Sequence, residues 1–254
     1  MTNLMLQTSK LDDRIFYQGN LIRQGQELIE FVEAFLCSEK YPIFIANSSL
    51  TESELLSALR ASTLGLTESS DGNYSIVRDQ ESHLDFSQKG GFFDLHQDGL
   101  GHHNVPDVGI LFCVNPGKGT NPTIFCDTLE IIRRLTEDEH TLETMNGLQF
   151  VYIDKSGREQ IHPFLAMHDL TGEPFLYLGS RGYLRQRSVD QAPSIRDISN
   201  LLNRIFELAD NATFLEHYWQ KGNLIIWDNH RLLHGRGCQT RDRDRRLIRF
   251  LLNH

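Results

Sequence analysis

From residue 73 onward the chain is a succession of short apolar or alternating runs: "NYSIVRD", "VGILFCVN", "PTIFCDT", "LQFVYIDK", "PFLYLGS", "GNLIIWDN" and "RRLIRFLL". Gly, Pro, Asn and Asp stand between them, so the runs predict strands joined by turns. Two stretches break the pattern. "LEIIRRLTEDEHTLETM" predicts a helix, and "SIRDISNLLNRIFELADN" places Ile195, Ile198, Leu201, Leu202, Ile205 and Leu208 on one helical face. Many strands with a few inserted helices predict a mainly β chain, with a sandwich or barrel core decorated by helices.

The first sixty-odd residues differ. Leu28, Phe31, Val32, Phe35 and Leu36 recur at helical spacing, "YPIFIAN" predicts a buried strand, and Thr51 with Glu54 forms a capping box that opens a second helix. This predicts an α/β segment over about 1–65, packed on a β core over about 73–254. No Gly/Ser/Pro-rich linker divides the two, so 1–254 is expected to be a single domain.

Charge narrows the ligand class. The chain has 34 acidic and 25 basic residues, a formal charge of −9, and no concentrated basic patch, which argues against nucleic acid. The N-terminus lacks a signal-peptide pattern, and no run of about 18 apolar residues suggests a membrane span. Cys37, Cys113, Cys126 and Cys238 form no CxxC pair and read as small apolar fillers. A cytoplasmic protein is the expectation; oligomeric state is not readable.

Metal-ligating residue types crowd into "GFFDLHQDGLGHHN", residues 91–104. If Asp94–Asp98 is a strand, Asp94, His96 and Asp98 share one face about 6.6 Å apart at Cα, close enough to converge on a cation. Either carboxylate can join His96, and a further ligand must come from elsewhere. A second cluster, "NLIIWDNHRLLHGRGC", holds His230 and His234 four apart. On a helix that is a zinc-type pair, but the buried strand and the Asn and Gly turn residues argue against a helix. His102 and His103 sit in a Gly-rich loop and read as solvated or at a pocket rim. Arg249 sits inside the apolar run "LIRFLL"; a buried guanidinium needs an anion, which can be a ligand or an internal carboxylate.

Taken together, "HQD" (His96, Asp98), "WDNHRLLHGR" with His234, and "RDRDRRLIRF" with Arg245 and Arg249 resemble the iron(II)- and 2-oxoglutarate-dependent dioxygenases of the taurine dioxygenase group. Arg245 lies eleven residues beyond His234, Arg249 fifteen, and Thr123 twenty-five beyond Asp98, all as in that family. The resemblance covers roughly residues 85–254. It implies a double-stranded β-helix, that is, a jelly-roll core. It implies His96, Asp98 and His234 as catalytic iron ligands, with Asp94 as a supporting or turn residue. It implies Thr123 and Arg245 on the distal carboxylate of 2-oxoglutarate, with Arg249 on an acidic group of the substrate or on the other end of the co-substrate.

Two His and one carboxylate leave three positions on Fe(II), enough for a bidentate 2-oxo acid and O₂. The expected reaction is hydroxylation of an unactivated C–H of a small polar metabolite, such as an amino acid or a natural-product precursor carrying a carboxylate. The alternatives are desaturation or cyclisation with the same cofactors, or a non-catalytic jelly roll that binds a small acid or a metal. Phe92 stands where the taurine enzyme has a polar substrate contact, which argues against taurine itself.

Overall fold

The computed structural model describes residues 13–38, 40–62, 65–67, 75–78, 93–118, 121–137, 139–153, 157–168, 171–179, 185–188, 195–237, 242 and 244–253. The N-terminal part contributes β1 (Ile15–Ile22), α1 (Gly25–Leu36), β2 (Ile43–Ser48), α2 (Glu52–Ala61) and β3 (Gly65–Leu66). Then come β4 (Ser75–Arg78), β5 (Phe93–His96), β6 (Val108–Asn115) and β7 (Thr123–Asp127). Helices α3 (Thr128–Leu135) and α4 (Glu139–Asn146) precede β8 (Leu148–Ile153), β9 (Glu159–Pro163), β10 (Leu165–Met167), β11 (Pro174–Leu176) and β12 (Arg185–Ser188). The last stretch holds α5 (Ile195–Asn211), β13 (Thr213–His217), β14 (Asn223–Asp228), β15 (Leu232–Arg236) and β16 (Arg246–Asn253).

Two sheets form the core. The larger runs β1-β2-β14-β6-β16-β3, with β4 also on β16; the smaller runs β13-β7-β15-β5. Alternation along each strand sends side chains to two different layers. On β14, Leu224 and Ile226 join the cluster under α1 and α2, whereas Ile225 and Trp227 face inward. On β6, Ile110 and Phe112 go outward, Leu111 and Cys113 inward. The smaller sheet does the same: Leu95, Ile124, Cys126 and Leu233 pack outward against α3 and α5, while Phe125 and Leu232 meet the larger sheet's inner face. With helices on both outer faces, the core strands read as nearly continuous apolar runs. This is the jelly-roll arrangement expected from the sequence.

The N-terminal elements are part of this frame. β1 pairs parallel with β2, and β2 pairs antiparallel with β14, so the larger sheet extends through the N-terminal segment. Helix α2 opens on the predicted capping box: Thr51 Oγ1 accepts from Glu54 N–H, and Glu54 Oε2 accepts from Thr51 N–H at 2.7 Å. The predicted single helix over 129–145 divides into α3 and α4 instead. The apolar stripe lapses after Leu135, where the sequence reads "TEDEH" and offers no apolar side chain to bury. No helix among the described residues is long and apolar enough to cross a membrane.

Candidate metal and co-substrate site

The smaller sheet brings the two key histidines together. β15 pairs antiparallel with β5, and His234 and His96 are direct partners in that register. Their outward neighbours Leu95 and Leu233 are core residues, so both imidazoles face inward, with ring centroids 4.6 Å apart. Asp98 completes the group. His96 Nε2 lies 3.7 Å from Asp98 Oδ1, and His234 Nε2 lies 3.3 Å from Asp98 Oδ2. Among the described residues these three side chains are the group of His, Cys, Asp and Glu close enough to hold one metal ion, with donor atoms within 4.8 Å of one another. All three are buried.

The donor chemistry suits a borderline divalent metal such as Fe(II). His96 Nδ1 is 2.8 Å from the Asp94 carbonyl oxygen, which fixes Nδ1–H as donor and turns Nε2 toward Asp98. Burial keeps His234 below the usual imidazole range, and the opposing pull of Asp98 does not cancel it, so this ring is neutral near pH 7. Burial alone would raise the Asp98 carboxyl, but Arg249, with His234 and His96, outweighs it and holds the group well below the usual carboxylate range. Asp98 Oδ2 is buried and accepts no hydrogen bond. An ionised oxygen in that condition calls for a cation.

The strand expected over Asp94–Asp98 stops at His96. Asp98 is held by a staple instead. Asn229, fully buried, accepts from Asp98 N–H (3.1 Å) and donates to the Asp98 and Pro106 carbonyls (3.0 and 2.8 Å). Gln97 donates to the His230 carbonyl at 2.7 Å and accepts from Leu178 N–H at 3.0 Å. The turn that follows uses Gly99 at φ +79°, where a Cβ would strike the Pro106 ring. Asn229 and Gln97 were not singled out from sequence; the "WDN" run carried Asn229 only as a turn signal. Asn229→Ala strands three backbone groups, the Asp98 N–H and the Asp98 and Pro106 carbonyls, at about 1–3 kcal/mol each if they stay dry. Metal affinity should fall about tenfold, as it does when a group that holds a metal ligand in place is lost. Calorimetric titration with Mn(II) checks this.

Thr123 and Arg245 also meet. Thr123 opens β7 facing inward, and Arg245 stands just before β16. Both are buried, and Arg245 Nη2 donates to Thr123 Oγ1 at 3.3 Å. Thr123 Oγ1 takes a second bond, from Trp219 Nε1 at 2.9 Å. The backbone of Arg245 is anchored through its N–H to the Asp242 carbonyl, at 3.2 Å. Arg245, Leu247 and Arg249 line one cavity together with Thr123, His96 and His234. Although Arg245 stands just before β16, both arginines therefore reach the same cavity. Arg249 also donates through Nη1 to Asp98 Oδ1. This is the internal carboxylate that the sequence left open as its partner.

The remaining candidates sit apart. Asp94 meets His96 through its backbone carbonyl and is not in the metal-type group. His103 is exposed, and His102 N–H closes the turn onto the Gly99 carbonyl at 2.8 Å. His230 Nε2 is 2.9 Å from Asp107 Oδ1, and its carbonyl holds Gln97. Cys113 and Cys126 are buried with thiols pushed up to about 12 by burial, which suits fillers. Cys238 and Phe92 lie outside the described residues.

Known proteins share this frame. The 3-((Z)-2-isocyanoethenyl)-1H-indole synthase of Fischerella ambigua (strain UTEX 1903) is 27% identical over 172 residues, which is 63% of this chain; the alignment spans 62% of that protein's own length. PvcB, an Fe, alpha-ketoglutarate dependent oxygenase from an isonitrile synthetic pathway, superposes with a TM-score of 0.67 at 18% identity, covering 94% of this chain and 85% of PvcB. An asparagine oxygenase solved with Fe(II), 2S,3S-3-hydroxyasparagine and succinate gives 0.69 at 16% identity, covering 90% and 79%. The model of the taurine catabolism dioxygenase TauD, TfdA family matches residues 24–251, so nearly the whole chain is accounted for, and the protein belongs to that family.

Proposed function

We propose that this chain hydroxylates an unactivated C–H bond of a small polar metabolite. The substrate is an amino acid or a natural-product precursor that carries a carboxylate. The observation that carries the reading is the buried His96, Asp98, His234 group, whose two histidines line one cavity with Thr123 and Arg245. In this reading His96, Asp98 and His234 hold Fe(II). When bound, the iron supplies O₂ activation, coupling oxidation of 2-oxoglutarate to succinate and CO₂ with attack on the substrate. Arg245 and Thr123 orient the 2-oxoglutarate tail and fix its distance from the triad. Trp219 holds the threonine hydroxyl, and Trp227, buried 4.8 Å from the His234 ring centroid, keeps that side of the imidazole dry.

Arg249 is the residue proposed to meet an acid on the substrate. One of its amino groups is on Asp98, and a guanidinium has five N–H donors, so both contacts are compatible. Desaturation is the second reading, because the Fischerella relative is named for an ethenyl product. Adding Fe(II) and 2-oxoglutarate without O₂ should give a weak visible charge-transfer band. Adding O₂ with candidate metabolites should then release succinate faster when the right one is present, with a product 16 mass units heavier for hydroxylation or about 2 lighter for desaturation. A colourless mixture with no succinate release would contradict the reading.

A further inference from the structure

The two oxygens of Asp98 have different partners. Oδ1 accepts from Arg249 Nη1 and lies 3.7 Å from His96 Nε2. Oδ2 accepts no hydrogen bond, is buried, and lies 3.3 Å from His234 Nε2. The backbone of Asp98 is clamped by Asn229 on its N–H and its C=O, so little beyond side-chain rotation can exchange the oxygens. Arg249 is as firmly placed. Its strand, β16, is hydrogen-bonded to β6 on one side and β4 on the other, with Arg249 opposite Leu111 and Ser75.

On the reading that the triad holds a metal, we propose that Arg249 is a positioning residue of that centre: it reserves Oδ1 and leaves Oδ2 as the single carboxylate oxygen offered to the ion. The reason lies in the demand for open positions. A 2-oxo acid needs two sites and O₂ one, and a two-histidine, one-carboxylate centre has three only if the carboxylate gives one oxygen. A carboxylate free to rotate can chelate with both. The arginine charge acts in the same direction. A cation beside the carboxylate weakens its attraction for a second cation. Arg249 thus trades metal affinity for co-substrate access.

This role makes opposite predictions for two ligands, which a merely structural role does not. The test uses the full chain, without O₂ and without any prime substrate, with Mn(II) as the metal. Arg249→Met should bind Mn(II) about tenfold more tightly, since a neighbouring positive charge is gone. At saturating Mn(II) it should bind 2-oxoglutarate about tenfold more weakly, because the second oxygen competes for a position. Arg249→Lys keeps the charge and a donor, so its Mn(II) affinity should stay within about threefold of wild type. If Arg249→Met weakens both ligands, the arginine only supports the fold; if it changes neither, the arginine serves only the prime substrate. Either result overturns the proposal while leaving the metal site intact. A wild-type chain that binds no Mn(II) overturns the metal site itself, and this role with it.

Discussion

His96→Ala, Asp98→Ala and His234→Ala each lose Fe(II) binding and succinate release, while Asp94→Asn keeps most of both. The three donors lie within 4.8 Å of one another, so removing any one leaves two ligands in a buried pocket. Losing even a supporting contact at a metal site costs about 10- to 100-fold, and losing a ligand should cost at least about 100-fold. The three variants differ in stability. Asp98→Ala takes a paired carboxylate from Arg249, whose side chain is 20% exposed. A fully buried broken pair costs about 3–5 kcal/mol, and partial exposure should put this one at or below the lower end. The histidine variants remove neutral rings and should be milder. Asp98→Asn keeps the shape and an acceptor for Arg249, so it separates lost metal from lost fold. Asp94 supports His96 through a backbone carbonyl, and an asparagine there retains that carbonyl. Metal analysis of the purified variants and a succinate assay decide the matter. An inactive Asp94→Asn beside an active Asp98→Asn would reverse the assignment.

The sequence exposed the ends of this site better than its middle. His96 was legible because strand alternation is a local property, whereas His234 was legible only through the family resemblance, since its own run set it beside His230 with nothing local to choose between them. Thr123 and Arg245 were legible only through the family resemblance, by their spacing to Asp98 and His234, since nothing local distinguishes Thr123 from any other strand threonine. What stayed hidden is non-local. Asn229 looks like a turn residue; that it clamps Asp98 depends on a contact across 131 positions of sequence. The partner of Arg249 was undetermined for the same reason, because Asp98 and Arg249 are 151 residues apart. The strand expected through Asp98 failed because alternation cannot show where pairing stops. Beyond His96, the side chains of Gln97 and Asn229 take over the bonds that hold the loop in place. The long helix over 129–145 failed because its polar middle has no face to bury. The N-terminal strands were recognisable as strands, but their membership in the larger sheet rests on the pairing of β2 with β14, which no local pattern encodes.

Arg245→Ala weakens 2-oxoglutarate binding by about 30-fold to a few thousand-fold, the range that follows from losing 2–5 kcal/mol when one partner of a desolvated charge pair is truncated. The upper part of that range is expected, because Arg245 is only 2% exposed and water cannot readily replace it. Its charge is not spent on the triad, where Arg249 is the arginine that meets Asp98. Mn(II) affinity should therefore move by less than about threefold, within the scatter for a distant site. Arg245→Lys should fall between wild type and alanine, since it keeps the charge but loses the planar fork that fits a carboxylate. Thr123→Val tests the other half of the pocket. It removes the hydroxyl that Arg245 and Trp219 both donate to, and a single neutral hydrogen bond of about 1 kcal/mol predicts roughly a fivefold loss. The measurement is a 2-oxoglutarate titration of the charge-transfer band under anaerobic conditions, with Mn(II) titrations alongside. Unchanged 2-oxoglutarate affinity in Arg245→Ala would refute the assignment of this arginine. Equal losses of metal and 2-oxoglutarate would instead mean that Arg245 holds the fold around Thr123 and contributes nothing specific to the co-substrate.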